Sequence, residues 1–367
     1  MERKSIADIN QYCGSTINPL DTPDTIYELY SVPSYENQVP EIIKGKEIGS
    51  SKITVEDGDV LICKINPRIN RVWVVKRHTP YQLLASSEWI VIRNHELDSD
   101  YLKWYFSSPF FRELMTSQVA GIGGSLTRAQ PKQVAKYPVP IVKVGEQRKI
   151  AAVLDKVSDL IAKRRQQIDK LDELVKAKFM EITDVAVTNS VRMGDVATYI
   201  NGYAFKPIDW STEGLPIIRI QNLNNKDAVY NYYKGELPKK YRVYHGDVLI
   251  SWATHLEAYI WKGQDAWLNQ HIFRAEFNKI PINHIYFVYS TEQALQQAFR
   301  NAHGFKPTME HIKRSDFENA IIELPSLERQ NQFAAFVEQT EKTKTTISES
   351  LEKLETLKKA LMQEYFG

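Results

Sequence analysis

The sequence repeats itself, and that constrains the fold more than any other feature. Gly58-Asp59-Val60-Leu61-Ile62 returns as Gly246-Asp247-Val248-Leu249-Ile250, an offset of 188 (58 to 246). Upstream, Asp8 answers Asp195 and Gly14 answers Gly202, at offsets of 187 and 188. Downstream the offset settles at 183: residues 102–107 line up with 285–290, Gly121 with Gly304 and Gln147 with Gln330. At the same offset Ala151-Ala152 meets Ala334-Ala335, and Ile168, Leu171 and Leu174 meet Leu351, Leu354 and Leu357. One such match means little, because GDVLI is a common entry to a strand. Matches kept in one order with one net shift make the chain a duplication. Each repeat reads as a mixed α/β part followed by a long helix.

Within the mixed part, residues 72–75, 88–92, 216–220 and 247–250 are rich in β-branched and aromatic side chains and read as strands. Residues 101–115 have helical spacing, and 285–299 repeat it. Glycine-bearing loops follow each helix, at 121–124 and 303–307. A short extended piece comes next, with Val139 and Ile141 answered by Ile322 and Leu324. These signals divide the chain into 1–140, 141–185, 186–324 and 325–367: a mixed domain, a helix, a second mixed domain and a second helix.

Neither proline nor glycine interrupts residues 146–182 or 326–366. At about 1.5 Å per residue, a helix over the first stretch is about 55 Å long. Its apolar stripe is Leu154, Val157, Ile161, Ile168, Leu171 and Val175; the second is Phe333, Val337, Thr340, Ile347, Leu351, Leu354 and Leu361. Spacings of three and four are heptad-like and predict a coiled coil. Arg164 and Lys344 interrupt the stripes, which fits an imperfect seam better than a long dimeric rod. Two equal helices in one chain can pair antiparallel, placing the domains about an approximate twofold. The expected fold is α+β, two tandem α/β-type domains separated by two long antiparallel helices.

Catalytic signatures are missing. Asn66-Pro67-Arg68 comes nearest to the Asp/Asn-Pro-Pro-aromatic signature of amino-methyltransferases, without the second proline or the aromatic. No GxxxxGK[ST] phosphate loop is present. Pro23-Asp24 begins like a nuclease motif, but no Asp/Glu-x-Lys follows at strand spacing. His303 and His311 lack clustered partners and read as solvated loop histidines. The glycine loop at 121–125 follows a helix, which argues against a dinucleotide site. Cys13 and Cys63 form neither a metal cluster nor a disulfide framework. The opening residues do not resemble a signal peptide and no apolar run is long enough to span a bilayer, so the expected setting is cytoplasmic, with no metal and no membrane. With 47 basic and 45 acidic residues, the net charge is +2, so any nucleic-acid surface must be local.

The two repeat-ending segments carry a family resemblance. Val139-Pro140-Ile141-Val142-Lys143-Val144-Gly145-Glu146-Gln147 and Leu324-Pro325-Ser326-Leu327-Glu328-Arg329-Gln330 each join an apolar-proline strand through Glu/Gln-rich residues to a long amphipathic helix. With Leu357-Lys358-Lys359-Ala360-Leu361, they resemble the conserved regions of specificity subunits of type I restriction–modification systems. GDVLI, and Asn269-Gln270-His271-Ile272 after its second copy, resemble that family's target-recognition domains; the first repeat has Ala85-Ser86-Ser87-Glu88 near that place instead. The resemblance implies that each domain reads one half of a split, asymmetric duplex DNA target. It implies that the helices set the gap and dock two methylation subunits, and that a motor-nuclease restriction subunit joins them. S-adenosylmethionine, ATP and magnesium would bind those other subunits, and this chain would bind none of them. Half-sites one helical turn apart lie roughly 34 Å from each other, the scale of such helices.

Candidate DNA contacts are basic and amide side chains on loops, interleaved with aromatics. Lys64, Asn66, Arg68, Asn70 and Arg71 follow the first GDVLI; a base-reading loop and a solvated loop fit them equally. Trp252, Thr254 and His255 stand at the matching place in the second repeat. Tyr203 and Lys206, with Arg219, Gln221 and Asn222, mark two further loops. Arg128 and Lys306 lie in the glycine loops at matching places. Lys163-Arg164-Arg165 reads as a solvated helix face. Two rival readings remain: a coiled-coil scaffold without DNA specificity, and part of a fused restriction–methylation enzyme. The second repeat, intact to Gly367, favours a complete unit over the latter.

Overall fold

A computed structural model describes residues 2–117, 119–120, 127–184, 188–225, 227–253, 256–303 and 313–367, the backbone alone at 119–120 and 301–303. The chain forms two compact units, Met1–Arg165 with Glu349–Gly367, and Gln166–Ser348. Both long helices contribute to both units. The first runs over Val144–Ile182 and the second over Leu327–Phe366.

The duplication predicted from the sequence is present in most of the strands. Unit 1 has a five-stranded sheet ordered Thr16–Ile17, Lys52–Thr54, Gln82–Ser86, Ile26–Tyr30, Glu41–Lys44. Unit 2 keeps the last four places as Arg242–Val243, Ala266–Leu268, Leu215–Ile218, Asn231–Tyr233. In each sheet the same central pair is parallel and its neighbours antiparallel. A second sheet in unit 1 orders Val72–Val74, Val60–Cys63, Trp89–Ile92; unit 2 has Glu257–Ile260, Val248–Ser251, Ile272–Glu276 and adds Thr198–Asn201. The ends are tied alike: Glu2–Ser5 pairs with Pro138–Ile141, and Asn189–Arg192 with Ile321–Leu324. GDVLI is the centre of the second sheet in both units. Its glycine has φ +89 at Gly58 and +91 at Gly246, the left-handed region where a side chain strains the backbone.

Register shows where the offset changes. Ile62 faces Val72 while Ile250 faces Ala258, an offset of 186 (72 to 258) on that strand. Val60 faces Ile92 while Val248 faces Ala275, an offset of 183 (92 to 275). Residues are therefore lost in unit 2 beginning at the connection that follows GDVLI.

The domain helices depart from the sequence reading in two ways. The helix expected over 101–115 is two helices, Ser99–Phe106 and Pro109–Ser117. Pro109 has no N–H to continue the ladder and starts the second helix, where a missing donor costs nothing. In unit 2 one helix runs unbroken over His284–His303. The alignment also slips. The Tyr101 hydroxyl donates to the Pro140 carbonyl and the Tyr286 hydroxyl to that of Glu323. The backbone N–H of Tyr101 donates to Asp98, and that of Tyr286 to Asn283. These equivalent bonds put the helix at an offset of 185 (101 to 286), so 102–107 answers 287–292 and not 285–290.

Gln147 and Gln330 explain why the helix entries are alike. Each is fully buried, accepts from the backbone N–H of Asp98 or Asn283 at 2.8 and 2.9 Å, and donates to the carbonyl of Val142 or Pro325 at 2.7 and 2.8 Å. Each glutamine thus ties the long helix to its domain helix and gives partners to backbone groups that are wholly or partly shielded from water.

The helices pack antiparallel within each unit. In unit 1, Ile150 and Leu154 share a core with Met362 and Phe366, and Arg165 pairs with Glu355 at 2.6 Å. In unit 2, the rings of Phe179 and Phe333 lie 5.5 Å apart, and Asp172 meets Lys344 at 2.7 Å. Of the predicted stripe, Leu154, Val157, Ile161, Val175, Phe333 and Val337 are buried. Ile168, Leu171, Ile347, Leu351, Leu354 and Leu361 are half-buried. Phe179, Ile182, Met362 and Phe366, absent from the predicted stripe, are buried with it. Lys344 interrupts the seam as expected. Burial works against its charge, but the hydrogen bonds it donates to Asp172 and Glu341 outweigh that and raise its pKa. Among the described residues no helix is long and apolar enough to cross a membrane, and no His/Cys/Asp/Glu group is placed to hold a metal ion.

Candidate nucleic-acid interface

In unit 1 the candidate loop joins two antiparallel strands of the second sheet. Its tip is a 3-10 turn, Pro67–Ile69, bracketed by Asn66 at φ 47 and Asn70 at φ 50. Asparagine is one of the few side chains that visits this region readily. Backbone bonds fix the loop: Asn66 donates to Thr127 at 2.8 Å, Asn70 to Pro67 at 3.1 Å, and Cys63 to Arg71 at 3.0 Å. Arg68 and Ile69 are left exposed at the tip. Lys64 donates to the Ser87 carbonyl at 2.6 Å, Arg128 pairs with Glu88 at 3.0 Å, and Arg71 with Glu36 at 3.3 Å. Ile65 bridges to Arg128, so the backbone of residues 64–66 runs beside that of residues 127–129. The Arg128 side chain is exposed and its pair is worth roughly 0–1 kcal/mol, so a phosphate can compete for it, whereas Arg71 is largely covered. Cys63, at the root of the loop, is buried, and burial raises its thiol pKa.

In unit 2 the same region is a cleft. The parallel pairing of Leu215–Ile218 with Ala266–Leu268 brings both carboxyl ends to one edge, where Asn269 donates to the Ile218 carbonyl at 3.2 Å. The residues that follow the two strands line a cleft of about 490 Å³: Arg219, Ile220 and Gln221 from one, Asn269, Gln270 and His271 from the other, with Phe205, Trp210 and Ala253. Gly202 permits the approach of the neighbouring segment, since a Cβ there would sit 2.1 Å from the Asn269 carbonyl oxygen. Tyr203 bridges to Asn269 and packs edge-on against Phe205 and Tyr241. The Arg219 guanidinium lies 5.2 Å from the Trp210 ring and donates to Asn231 at 3.1 Å. Gln270 and His271 share a 3.1 Å side-chain hydrogen bond. Trp252 packs against His271 at 5.5 Å. Lys206 is exposed, its N–H donating to Asp209 at 2.7 Å.

One candidate is corrected. Asn222 is buried, its oxygen accepts from the Arg219 N–H at 3.1 Å, and its amide donates to the Ala228 and Val229 carbonyls, each at 3.3 Å. It staples a turn and has no amide left for a base. Thr254, His255, Lys306, His311 and most of both glycine loops lie outside the described residues. Trp210, Gln270 and His271 were not among the candidate contacts. Asn269-Gln270-His271 carries part of the family resemblance in the sequence, and its counterpart at the 183 offset is Ser86-Ser87-Glu88.

Two copies of one mixed α/β unit, bearing basic, amide and aromatic loops and joined by long helices, define a DNA-specificity class of protein. The chain belongs to the type I restriction modification DNA specificity domain family, whose model matches residues 1–172 and again 188–358. It is 26% identical over 178 residues to the specificity subunit of the type I restriction enzyme EcoBI of Escherichia coli, covering 47% of this chain and 37% of that one. It is 27% identical over 180 residues to the MjaVIII specificity subunit of Methanocaldococcus jannaschii, covering 48% of this chain and 41% of that one. The chain therefore spans about two fifths of the length of these curated relatives. A chain from a type I R-M system, solved for its complex assembly and conformational transition, shares the fold at TM-score 0.65 and 18% identity, covering 100% of this chain and 97% of that one. The S subunit of a type I system from M. genitalium does so at TM-score 0.53 and 12% identity, covering 100% and 96%.

Proposed function

We propose that the chain reads a bipartite, asymmetric duplex DNA sequence, one half per unit, for a type I restriction–modification complex. The carrying observation is a duplicated frame with different side chains at the same place. The strands, the helix entries and the buried glutamines repeat, while Lys64 to Arg71 and the cleft around Trp210 do not. Arginine matches guanine and glutamine matches adenine in the major groove, so unlike loops on like frames read unlike half-sites. The long helices set the gap between the half-sites. They and the units dock two methylation subunits and, through them, a motor-nuclease restriction subunit, in the cytoplasm. S-adenosylmethionine, ATP and magnesium act on those subunits, and this chain carries no turnover of its own. The test is duplex selection by the chain co-purified with its methylation subunits at physiological salt. Enrichment of one split motif is expected. Binding without sequence preference would leave a scaffold.

A further inference from the structure

The cleft of unit 2 has a counterpart in unit 1. A recess of about 390 Å³ lies at the carboxyl ends of the parallel pair Ile26–Tyr30 and Gln82–Ser86. Ser31, Val32 and Pro33 line it after the first strand, Ser86 and Glu88 at the end of the second, and Ile65 beyond GDVLI. Arg219, Ile220, Gln221, Asn269, His271 and Ala253 line the unit 2 cleft at the same six places. The offsets are those of the frame, 188 (31 to 219 and 65 to 253) and 183 (86 to 269). Even one side-chain bond recurs. Glu41 faces Leu29 and Asn231 faces Ile217; Ser31 donates to Glu41 as Arg219 donates to Asn231.

The chemistry of the two linings is opposite. Unit 2 presents Arg219 and the amides of Gln221, Asn269 and Gln270, whereas unit 1 presents the carboxylates of Glu41, Glu47 and Glu88. The only cation among the described lining residues of the recess, Lys52, is buried and donates to the Ser50 carbonyl and hydroxyl at 2.9 and 2.7 Å. Glu88 is only half engaged. One of its oxygens takes Arg128 at 3.0 Å; the other is shielded from water and has no hydrogen-bond partner among the described residues. A shielded acceptor left over in this way calls for a donor.

Which donor follows from what a carboxylate can do, which is only to accept. In the major groove guanine offers two acceptors, thymine offers one, and adenine sets an acceptor beside its amino group. Cytosine alone offers an amino donor with no acceptor beside it. Arg128, exposed and bound to Glu88, supplies the cation that a neighbouring phosphate needs.

We propose that the recess of unit 1 reads a cytosine, whose amino group donates to the Glu88 carboxylate. This rests on the function proposed above and names a base that one half-site must contain.

The test selects duplexes from a randomised pool with the chain co-purified with its methylation subunits, comparing wild type, E88Q and E88A. The half-site belonging to unit 1 is the one that changes when residues 1–140 are exchanged. Wild type is expected to hold a C·G pair there, preferred about tenfold or more over the other pairs. In E88Q, whose amide matches adenine, that pair should become A·T; in E88A the preference should fall about tenfold. The other half and the gap should stay fixed in both variants, which also shows that they fold. An unchanged motif in both variants overturns the cytosine reading and leaves the function standing. So does a loss of affinity equal over all duplexes, which would make Glu88 a brace for Arg128, or a unit 1 half without a C·G pair. A wild-type complex that selects no duplex sinks both.

Discussion

The reading regions of the two units occupy the same place on the same frame, yet they are built differently. In unit 1, Ser87 and Glu88 hold Lys64 and Arg128 beside a basic loop tied by backbone hydrogen bonds. In unit 2, Gln270 and His271 stand at the positions of Ser87 and Glu88 and line an aromatic and amide cleft. The GDVLI aspartates differ in the same spirit. Asp59 is buried and holds Arg93 through two bonds of 2.7 and 2.8 Å, while Asp247 lies 3.9 Å from Arg274, which prefers Glu276 at 2.6 Å. Elements that hold the backbone have stayed; side chains that face outward at strand ends have been exchanged. The duplication thus separates what folding requires from what recognition is free to vary.

Four experiments sharpen or break this contrast. The largest effect is expected from Phe333→Ala, which removes a ring packed on Phe179, Tyr286 and Tyr289. It should cost about 3–5 kcal/mol. Hydrogen exchange should rise across 166–348 and much less across unit 1; equal deprotection would deny that the units are separate. Next, Asp59→Asn should cost about 1.5–3 kcal/mol, because it removes the buried one of Arg93's two carboxylate partners and leaves Glu56 at 2.9 Å. Asp247→Asn should cost only about 1 kcal/mol, since its pair is long and more exposed. Urea unfolding of both variants checks the difference, and equal losses would make the two aspartates interchangeable. Gln221→Ala should weaken binding by about 1–3 kcal/mol and relax one base position in one half-site. A loss uniform over all duplexes would make Gln221 a backbone contact. The smallest effect belongs to Arg128→Ala, which should lower the salt slope of DNA binding by about one and leave the motif unchanged. An altered motif would make Arg128 a base reader.

The frame was legible because it is periodic or repeated. GDVLI, Gln147 with Gln330, and the helix stripes all survive in order, and proline-free stretches gave the long helices nearly to their ends. The break at Pro109 was equally open to reading. The two-residue slip of the domain helix was not, because Tyr101 and Tyr286 are matched by their bonds to carbonyls and not by their neighbours in sequence. The cleft was hidden for a different reason. Arg219 and His271 lie far apart in the chain, and only the parallel strand pairing joins them. Asn222 looked like a reader because sequence gives residue type without burial.

The central claim is that each unit reads its own half of the target. Residues 1–140 exchanged for the matching segment of a related chain, followed by genome-wide mapping of methylated adenines, test it most directly. One half of the motif should change, while the other half and the gap stay fixed. A change in both halves, or in neither, would contradict the account.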